Sequence, residues 1–179
     1  PQTAYKSQVA IATARDYDPK VIASAVRDML DDLGGLGDVV RPGDRVAILL
    51  PNCPQFVIAQ FGVWKAGAVV APINPLYTAS ELEHMLETCG AKTAIVLSRF
   101  YDKVQPLCVR PGSACAELGC IIAANIKTYL PPLLRTLFTL FREKKEGHRA
   151  TLRADDPWMG DLVRQFAGAP RPEVTIGPE

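Results

Sequence analysis

The sequence predicts an α/β fold, in which a parallel-sheet layer of strands is flanked by helices. Two runs, residues 46–50 and 68–73, are apolar at almost every position and too short to be helices, so we predict two buried strands. Segments with helical patterning follow each run. Strands that are apolar throughout, rather than alternating with polar residues, are typical of parallel sheets covered by helices on both faces.

The first strand and the first helix have clear start and stop signals. The tripeptide PGD at 42–44 predicts a turn that begins the strand at Val46. Pro54 suits the first turn of a helix, because its missing N–H needs no partner there. Gly67 can adopt the left-handed conformation that ends such a helix.

The second helix and the third strand are equally well marked. Thr78 and Glu81 have the spacing of a capping box, which predicts that a helix begins after Thr78 and ends at Gly90. The apolar residues 93–97 then predict a further strand. The stretch from 41 to 97 therefore predicts an alternating order of strands and helices.

The two ends of the chain are less regular. Residues 1–40 predict a strand at 9–13 and a helix that ends at Gly34-Gly35, and they form a head of uncertain origin. Residues 41–179 form the main domain, with a variable insertion at about 106–153. Prolines at 106, 111, 131 and 132 indicate that this second half is irregular.

Composition limits the possible classes of function. The chain has 179 residues, of which 48% are hydrophobic and 22% charged, as expected of a globular domain. The net charge of +1 gives no electrostatic footprint for nucleic acid, which we do not expect as a partner. Five cysteines without a CxxC motif indicate reduced thiols in a cytoplasmic protein, and we expect no metal site.

Four motifs in the central block carry a specific resemblance to a known family. They are PGDRVAI at 42–48, KAGA at 65–68, PINP at 72–75 and TASEL at 78–82. With the same spacing, they resemble the N-terminal region of the adenylate-forming (AMP-binding) acyl-CoA synthetases. Residues 129–149 and the sequence APRP at 169–172 further resemble the long-chain fatty acid–CoA ligases.

The resemblance implies a parent enzyme that joins a fatty acid to coenzyme A through an acyl-adenylate, with ATP, Mg²⁺ and CoA as cofactors. In the family, the phosphate-binding loop ending in PKG follows a proline-rich segment like 169–172, so we expect it beyond Glu179. The resemblance therefore assigns this segment no catalytic, cofactor-binding or metal-binding residues. It implies that the segment belongs to an incomplete N-terminal subdomain, whose partner is the remainder of the ligase and which is inactive alone.

The head leaves alternatives open. Residues 8–40 resemble the start of an uncharacterised family of putative iron–sulfur proteins, although ferredoxin-type cysteine spacing is missing. The chain could therefore be a non-catalytic truncated or fused product, or a member of that second family. The glycines of GGLG at 34–37 follow a predicted helix rather than a strand, so we interpret them as a helix end and not as a phosphate loop.

Several polar side chains are candidates for a site. Asn52 and Asn74 each follow a predicted strand, at the edge of a parallel sheet where ligands usually bind, so we expect them to line a substrate pocket. Asparagine beside proline is also ordinary turn chemistry. His84 is interpreted as a helix-surface residue, and His148 as part of a solvated basic turn.

Residues 130–141 predict an amphipathic helix with one continuous apolar stripe. The residues expected to face a membrane are Leu130, Leu134, Leu137, Phe138 and Phe141. Arg142, Lys144, Lys145 and Arg149 follow, and an apolar face beside a basic cluster can lie on an anionic bilayer. The polar face of the helix carries only Arg135 and two threonines, so packing against the protein itself, or against the missing remainder of the ligase, is the first interpretation. We therefore expect a cytoplasmic protein, with peripheral membrane contact as the alternative.

Overall fold

The computed structural model describes residues 40–109, 115 and 117–165. These residues form a four-stranded parallel sheet in the order β2-β1-β3-β4. The strands are β1 (Arg45–Leu49), β2 (Val69–Pro72), β3 (Thr93–Leu97) and β4 (Cys120–Ala124). The predicted α/β fold with a parallel-sheet layer is confirmed. The predicted head strand and the helix before Gly34 lie outside the described residues.

In the described part of the chain, five α-helices accompany the sheet: α1 (Pro54–Lys65), α2 (Ala79–Cys89), α3 (Tyr101–Val109), α4 (Pro132–Leu137) and α5 (Met159–Gln165). Short 3-10 turns precede α3 (Ser98–Phe100) and follow β4 (Ile126–Tyr129), and a π-helical turn (Phe138–Arg142) extends α4.

The core lies in two layers, one on each face of the sheet. In the inner strand β1, Ile48 faces the layer that contains α1, whereas the next residue, Leu49, faces the layer that contains α2 and α3. Both side chains are fully buried. Ile48 pairs with Pro72 of β2 on one side and with Ile95 of β3 on the other. Burial on both faces explains why the strands are apolar without alternation.

The ends of α1 follow the sequence signals. Pro54 occupies the first turn of α1. Gly67 has a φ of 72° and donates its N–H to the carbonyl of Trp64, which ends the helix. Because a side chain is strained at positive φ, glycine is required at this position.

A complete capping box begins α2. The backbone N–H of Glu81 donates to Thr78 Oγ1 at 3.3 Å, and the backbone N–H of Thr78 donates to Glu81 Oε2 at 2.7 Å. Gly90, at a φ of 59°, is the left-handed cap at the other end. The predicted boundaries of α2 are confirmed.

We expect Thr78→Ala to lower the free energy of unfolding by about 1 kcal/mol, because it removes the acceptor for the Glu81 N–H. Urea denaturation of the 179-residue chain measures this loss. Ser80→Ala removes a hydroxyl from the same first turn without touching the cap, and it should change stability by less than about 0.5 kcal/mol. Equal losses in both variants would contradict the assignment of the cap.

The second half of the chain is more regular than the sequence indicates. Pro106 lies inside α3, where both it and Asp102, the residue four positions earlier, are exposed. The carbonyl that loses its helical partner therefore faces solvent, where water can satisfy it. Strand β4, within the segment predicted as a variable insertion, pairs with β3 over five residues and is the fourth strand of the described sheet.

Asp156 attaches the chain after β4 to the sheet. Its carboxylate accepts hydrogen bonds from the backbone N–H of Ile121 at 2.9 Å and from Tyr101 Oη at 2.5 Å. Arg153 donates two more, from Nε at 2.7 Å and Nη2 at 2.9 Å. Burial would raise the pKa of Asp156, but these hydrogen bonds outweigh it and lower the pKa below its usual value.

Candidate functional site at the carboxyl end of β4

A pocket of about 580 Å³ lies beyond the carboxyl end of β4. Ligands of open parallel sheets bind at this end of the strands, and the volume is within the range of small-molecule sites. The residues that line it are Asn125, Lys127, Thr128, Tyr129, Arg135, Glu143, His148, Arg149, Ala150, Trp158, Gly160, Asp161, Val163 and Arg164.

Asn125 holds one wall of the pocket against the sheet. It is the first residue after β4, and its Oδ1 accepts the backbone N–H of Lys127 at 3.1 Å. Its Nδ2 donates to Glu143 Oε1 at 3.3 Å and to the carbonyl of His148 at 3.4 Å. One buried amide thus fixes both the turn after β4 and the turn at 143–148.

Gln55 of α1 forms hydrogen bonds to the turn that contains Asn125. Its Nε2 donates to the backbone carbonyls of Asn125 at 3.0 Å and Ile126 at 3.3 Å, which fixes the orientation of the Gln55 side-chain amide. Gln55 is only 1% exposed, and its Oε1 has no hydrogen-bond partner within the part of the chain that the structure describes. The link connects the first helix with the pocket.

Glu143 carries a buried negative charge in the pocket wall. It forms an ion pair with Lys127, and its Oε2 lies 4.0 Å from Arg149 Nε. Only 7% of the Glu143 side chain is exposed. A buried carboxylate needs such a partner, so Lys127 is committed to neutralising Glu143.

His148 is buried, which corrects the interpretation of a solvated basic turn. Its Nδ1 lies 3.3 Å from Ser98 Oγ, and its ring packs edge-on against Phe138 with 5.4 Å between centroids. Burial lowers the pKa of His148. The neighbouring Lys144, Lys145 and Arg149 are exposed. His148 is therefore the member of this basic cluster that faces the interior.

The lowered pKa of His148 predicts a loss of stability in mild acid. Below about pH 6.5 the unfolded chain takes up a proton that the folded chain accepts only at lower pH, so stability falls as the pH falls through this window. The pKa values of Asp44 and Asp156 are also lowered. Protonation of these two carboxylates reduces stability only near and below their usual pKa of 3.8, outside this window.

Urea unfolding at pH 7.5 and 5.5 tests this expectation. The wild-type chain should be less stable at pH 5.5, and His148→Gln should reduce the difference between the two pH values. His84→Gln changes the other histidine, which is exposed on α2, and serves as the control. An undiminished difference in His148→Gln would rule out His148 as the cause.

Four cations line the pocket, and two of them lack a close carboxylate. Lys127 pairs with Glu143, and Arg164 pairs with Asp161. Arg135 Nη2 donates to the carbonyl of Thr128 at 2.7 Å, which leaves its charge uncompensated by any ion pair among the described residues. Arg149 is 60% exposed and reaches Glu143 only at 4.0 Å. The described wall therefore carries an excess of positive charge.

The residues predicted to line a pocket, Asn52 and Asn74, lie elsewhere. Both are exposed, after β1 and β2 respectively, and neither belongs to the wall of this pocket. Asn74 Oδ1 accepts the backbone N–H of Leu76 at 3.1 Å, an ordinary turn interaction. Their role as substrate contacts stays a prediction.

The residues predicted to face a membrane separate into two groups. Leu130 and Phe138 are buried and pack together, so they are unavailable to a bilayer in this conformation. Leu134, Leu137 and Phe141 are exposed. The expected continuous α-helical stripe is wrong because α4 ends at Leu137 and the π-helical turn changes the register of the following residues.

Two features expected of a nucleotide and metal site are not found among the described residues. The connection after each strand lacks glycine, whereas a phosphate-binding loop needs glycine between a strand and the following helix. Nor do the described histidine, cysteine and acidic side chains form a cluster that could hold a metal ion. That this segment binds no Mg²⁺–ATP stays a prediction, and no step of adenylation is assigned to the described residues.

The five cysteines, all of which lie in the described residues, form no disulfides. Burial raises the pKa of Cys53, Cys108 and Cys120 to about 11, which keeps them protonated at neutral pH. A protonated thiol is a poor nucleophile.

The family model described as AMP-binding enzyme matches residues 33–159. The chain belongs to the AMP-binding enzyme family. Its match begins inside the head, and the resemblance of residues 8–40 to iron–sulfur proteins gains no support from these comparisons. The parallel sheet and its helices are thus part of the N-terminal domain of an AMP-binding enzyme.

Two curated relatives illustrate the likeness. The chain is 36% identical over 106 residues to a long-chain-fatty-acid–CoA ligase of Bacillus subtilis, covering 59% of this chain and 18% of that protein. It is 48% identical over 66 residues to the ligase of the same description from Salmonella typhimurium, covering 37% and 11%. The chain therefore spans only a small fraction of these relatives.

Solved structures show the same fold. The N-terminal domain of FACL13 from Mycobacterium tuberculosis superposes with a TM-score of 0.57 at 23% identity, covering 88% of this chain and 31% of that one. A fatty acyl CoA synthetase from the same organism gives a TM-score of 0.56 at 21% identity, covering 88% and 24%. None of the described helices has the length and hydrophobicity needed to cross a membrane.

The sequence signal for the pocket is dispersed. Lys127, Arg135 and Arg149 are spaced along a basic segment, but the buried acceptor Glu143 and the inward turn of His148 are not visible in the pattern. The run CIIAA at 120–124, followed by Asn125, is the one local signal that could have placed a strand and a site at this position.

Proposed function

We propose that this chain is the N-terminal part of an ATP-dependent acyl-CoA synthetase that uses a long-chain fatty acid and works in the cytoplasm. The match to the family over residues 33–159 carries the proposal, supported by the likeness to two long-chain-fatty-acid–CoA ligases. The segment supplies the parallel sheet on which the remainder of the enzyme is assembled, and that remainder is its principal partner. ATP, Mg²⁺ and CoA belong to the complete enzyme.

We expect the 179-residue chain alone to form no acyl-CoA and to gain no thermal stability from Mg²⁺–ATP. A functional site at about 100 times its Kd would add about 2.7 kcal/mol of stability, which scanning fluorimetry detects easily. The matched control is the complete ligase that contains this segment, assayed with a long-chain fatty acid. ATP-dependent stabilisation of the short chain would contradict the assignment, and an inactive complete ligase would contradict the proposed parent activity.

A second candidate function is peripheral contact with an anionic membrane. Leu133, Leu140 and Phe141 are at least 70% exposed, and the exposed Arg142, Lys144 and Lys145 follow them. Apolar side chains that enter the lipid boundary beside cations that attract anionic headgroups are the features of an interfacial helix. Charge complementarity therefore favours an anionic bilayer over an uncharged partner.

Co-sedimentation with phosphatidylglycerol and phosphatidylcholine vesicles tests this contact. The wild-type chain should be retained on the anionic vesicles, and Leu140→Ser with Phe141→Ser should release it. Leu76→Ser, also at an exposed leucine but on the connection after β2, should be retained. Equal failure of the wild type with both lipids would end the proposal.

A further inference from the structure

The pocket beyond β4 has charges that adenylation does not explain. Its wall combines two internal ion pairs with two arginines, Arg135 and Arg149, that have no carboxylate at hydrogen-bonding distance among the described residues. The two arginines come from different segments, one from α4 and one from the irregular chain after residue 147. Both line the same pocket.

The rest of the wall prepares these arginines for an anion. Arg135 is oriented by its hydrogen bond to the carbonyl of Thr128, which uses only one of its five donors. Glu143, whose Oε2 lies 4.0 Å from Arg149 Nε, is already neutralised by Lys127 and held by Asn125. An incoming anion therefore meets positive charge without having to displace a stronger pair.

We propose that this pocket binds the phosphate group of an organic phosphate ester between Arg135 and Arg149. A guanidinium donates two parallel hydrogen bonds to a phosphate, and a phosphate has enough oxygens for two guanidinium groups at once. A carboxylate has only two oxygens, which one arginine can occupy. The aromatic rings of Tyr129 and Trp158 line the same pocket and provide a surface for the organic part of the ester.

Titration calorimetry with sn-glycerol 3-phosphate and with inorganic phosphate, at constant ionic strength, tests the proposal on the 179-residue chain. We expect millimolar affinity, a Kd of roughly 1 mM, and about tenfold weaker binding in Arg135→Gln and Arg149→Gln. Arg45→Gln removes one charge from an exposed side chain at the start of β1, outside the pocket wall, and should bind within about twofold of wild type. Circular dichroism confirms that each variant is folded.

Vesicles identify the source of the phosphate. Retention on vesicles containing phosphatidic acid, whose headgroup is a phosphate monoester, that is lost in Arg135→Gln but kept in Arg45→Gln assigns the site to a lipid headgroup. Binding in solution without arginine-dependent retention assigns it to a free phosphate ester. The proposal would be overturned if Arg135→Gln and Arg149→Gln behaved like the wild type in both the calorimetry and the vesicle experiment. It is independent of the proposed membrane contact, which depends on Leu140 and Phe141 rather than on the two arginines.

Discussion

Replacing Asp156 with alanine should lower the free energy of unfolding by about 4 kcal/mol. The substitution removes the acceptor for the Ile121 N–H and for Tyr101 Oη, both of which are buried, and it leaves Arg153 without its counter-ion. A loss of this size is a large share of the 5–15 kcal/mol that stabilises a typical domain. Chemical denaturation measures it directly.

The neighbouring Asp155 provides a matched control. It is exposed and carries the same charge, so Asp155→Ala should change stability by less than about 0.5 kcal/mol. Tyr101→Phe should give an intermediate loss of about 2 kcal/mol, because it removes two hydrogen bonds, one donated to Asp156 and one accepted from the Arg153 N–H, but keeps the buried ring. Asp156→Ala with wild-type stability would show that the segment after residue 150 is not attached through this carboxylate.

Leu82→Ala should cost about 3 kcal/mol. Leu82 is fully buried between α2 and the sheet, and the truncated side chain leaves a cavity in a layer that also contains Leu49 and Val104. Alanine favours helix formation, so the loss reports packing rather than helix propensity.

The same substitution on the surface is the control. Leu133 lies on α4 and is 72% exposed, so Leu133→Ala should be close to neutral. Thermal and urea unfolding measure the stability of the two variants. Because both replace leucine with alanine, a difference in loss reports how deeply each leucine is buried. Similar losses at Leu82 and Leu133 would mean that α4 is buried in solution and not exposed.

Local chemistry explains which parts of the fold are predictable from the sequence. The capping box at Thr78 and the glycine at Gly67 depend on interactions within a few residues. The strand at 93–97 is marked by its local apolar run, and all three are found where the sequence predicts them. The family resemblance rests on the same block. Short-range rules are sufficient where an element carries both its start and its stop signal.

Elements beyond residue 100 depend on tertiary contacts that the local pattern does not contain. Strand β4 is a five-residue apolar run that forms because β3 offers it a partner. Pro106 is tolerated because its side of α3 faces solvent. His148 lies inside a basic run, and only packing against Phe138 and Ser98 distinguishes it from its solvated neighbours.

The same limit applies to the candidate site. Asn52 and Asn74 were reasonable candidates because they follow strands, yet the pocket in the described structure lies beyond β4, at Asn125. The pocket does lie at the carboxyl end of a parallel strand, as is usual for ligand sites. The sequence pattern does not predict this strand, β4, and therefore does not point to Asn125.

The position of β1 in the sheet has a consequence for the order of folding. Ile48 needs Pro72 on one side and Ile95 on the other, and each partner is reached only after an intervening helix. Every strand pairing in the described sheet is of this non-local kind, which favours slow folding over rapid hairpin nucleation. During synthesis the apolar strand β1 therefore leaves the ribosome well before β3, its second neighbour, exists, and we expect this interval to be the period in which the nascent chain most needs chaperones.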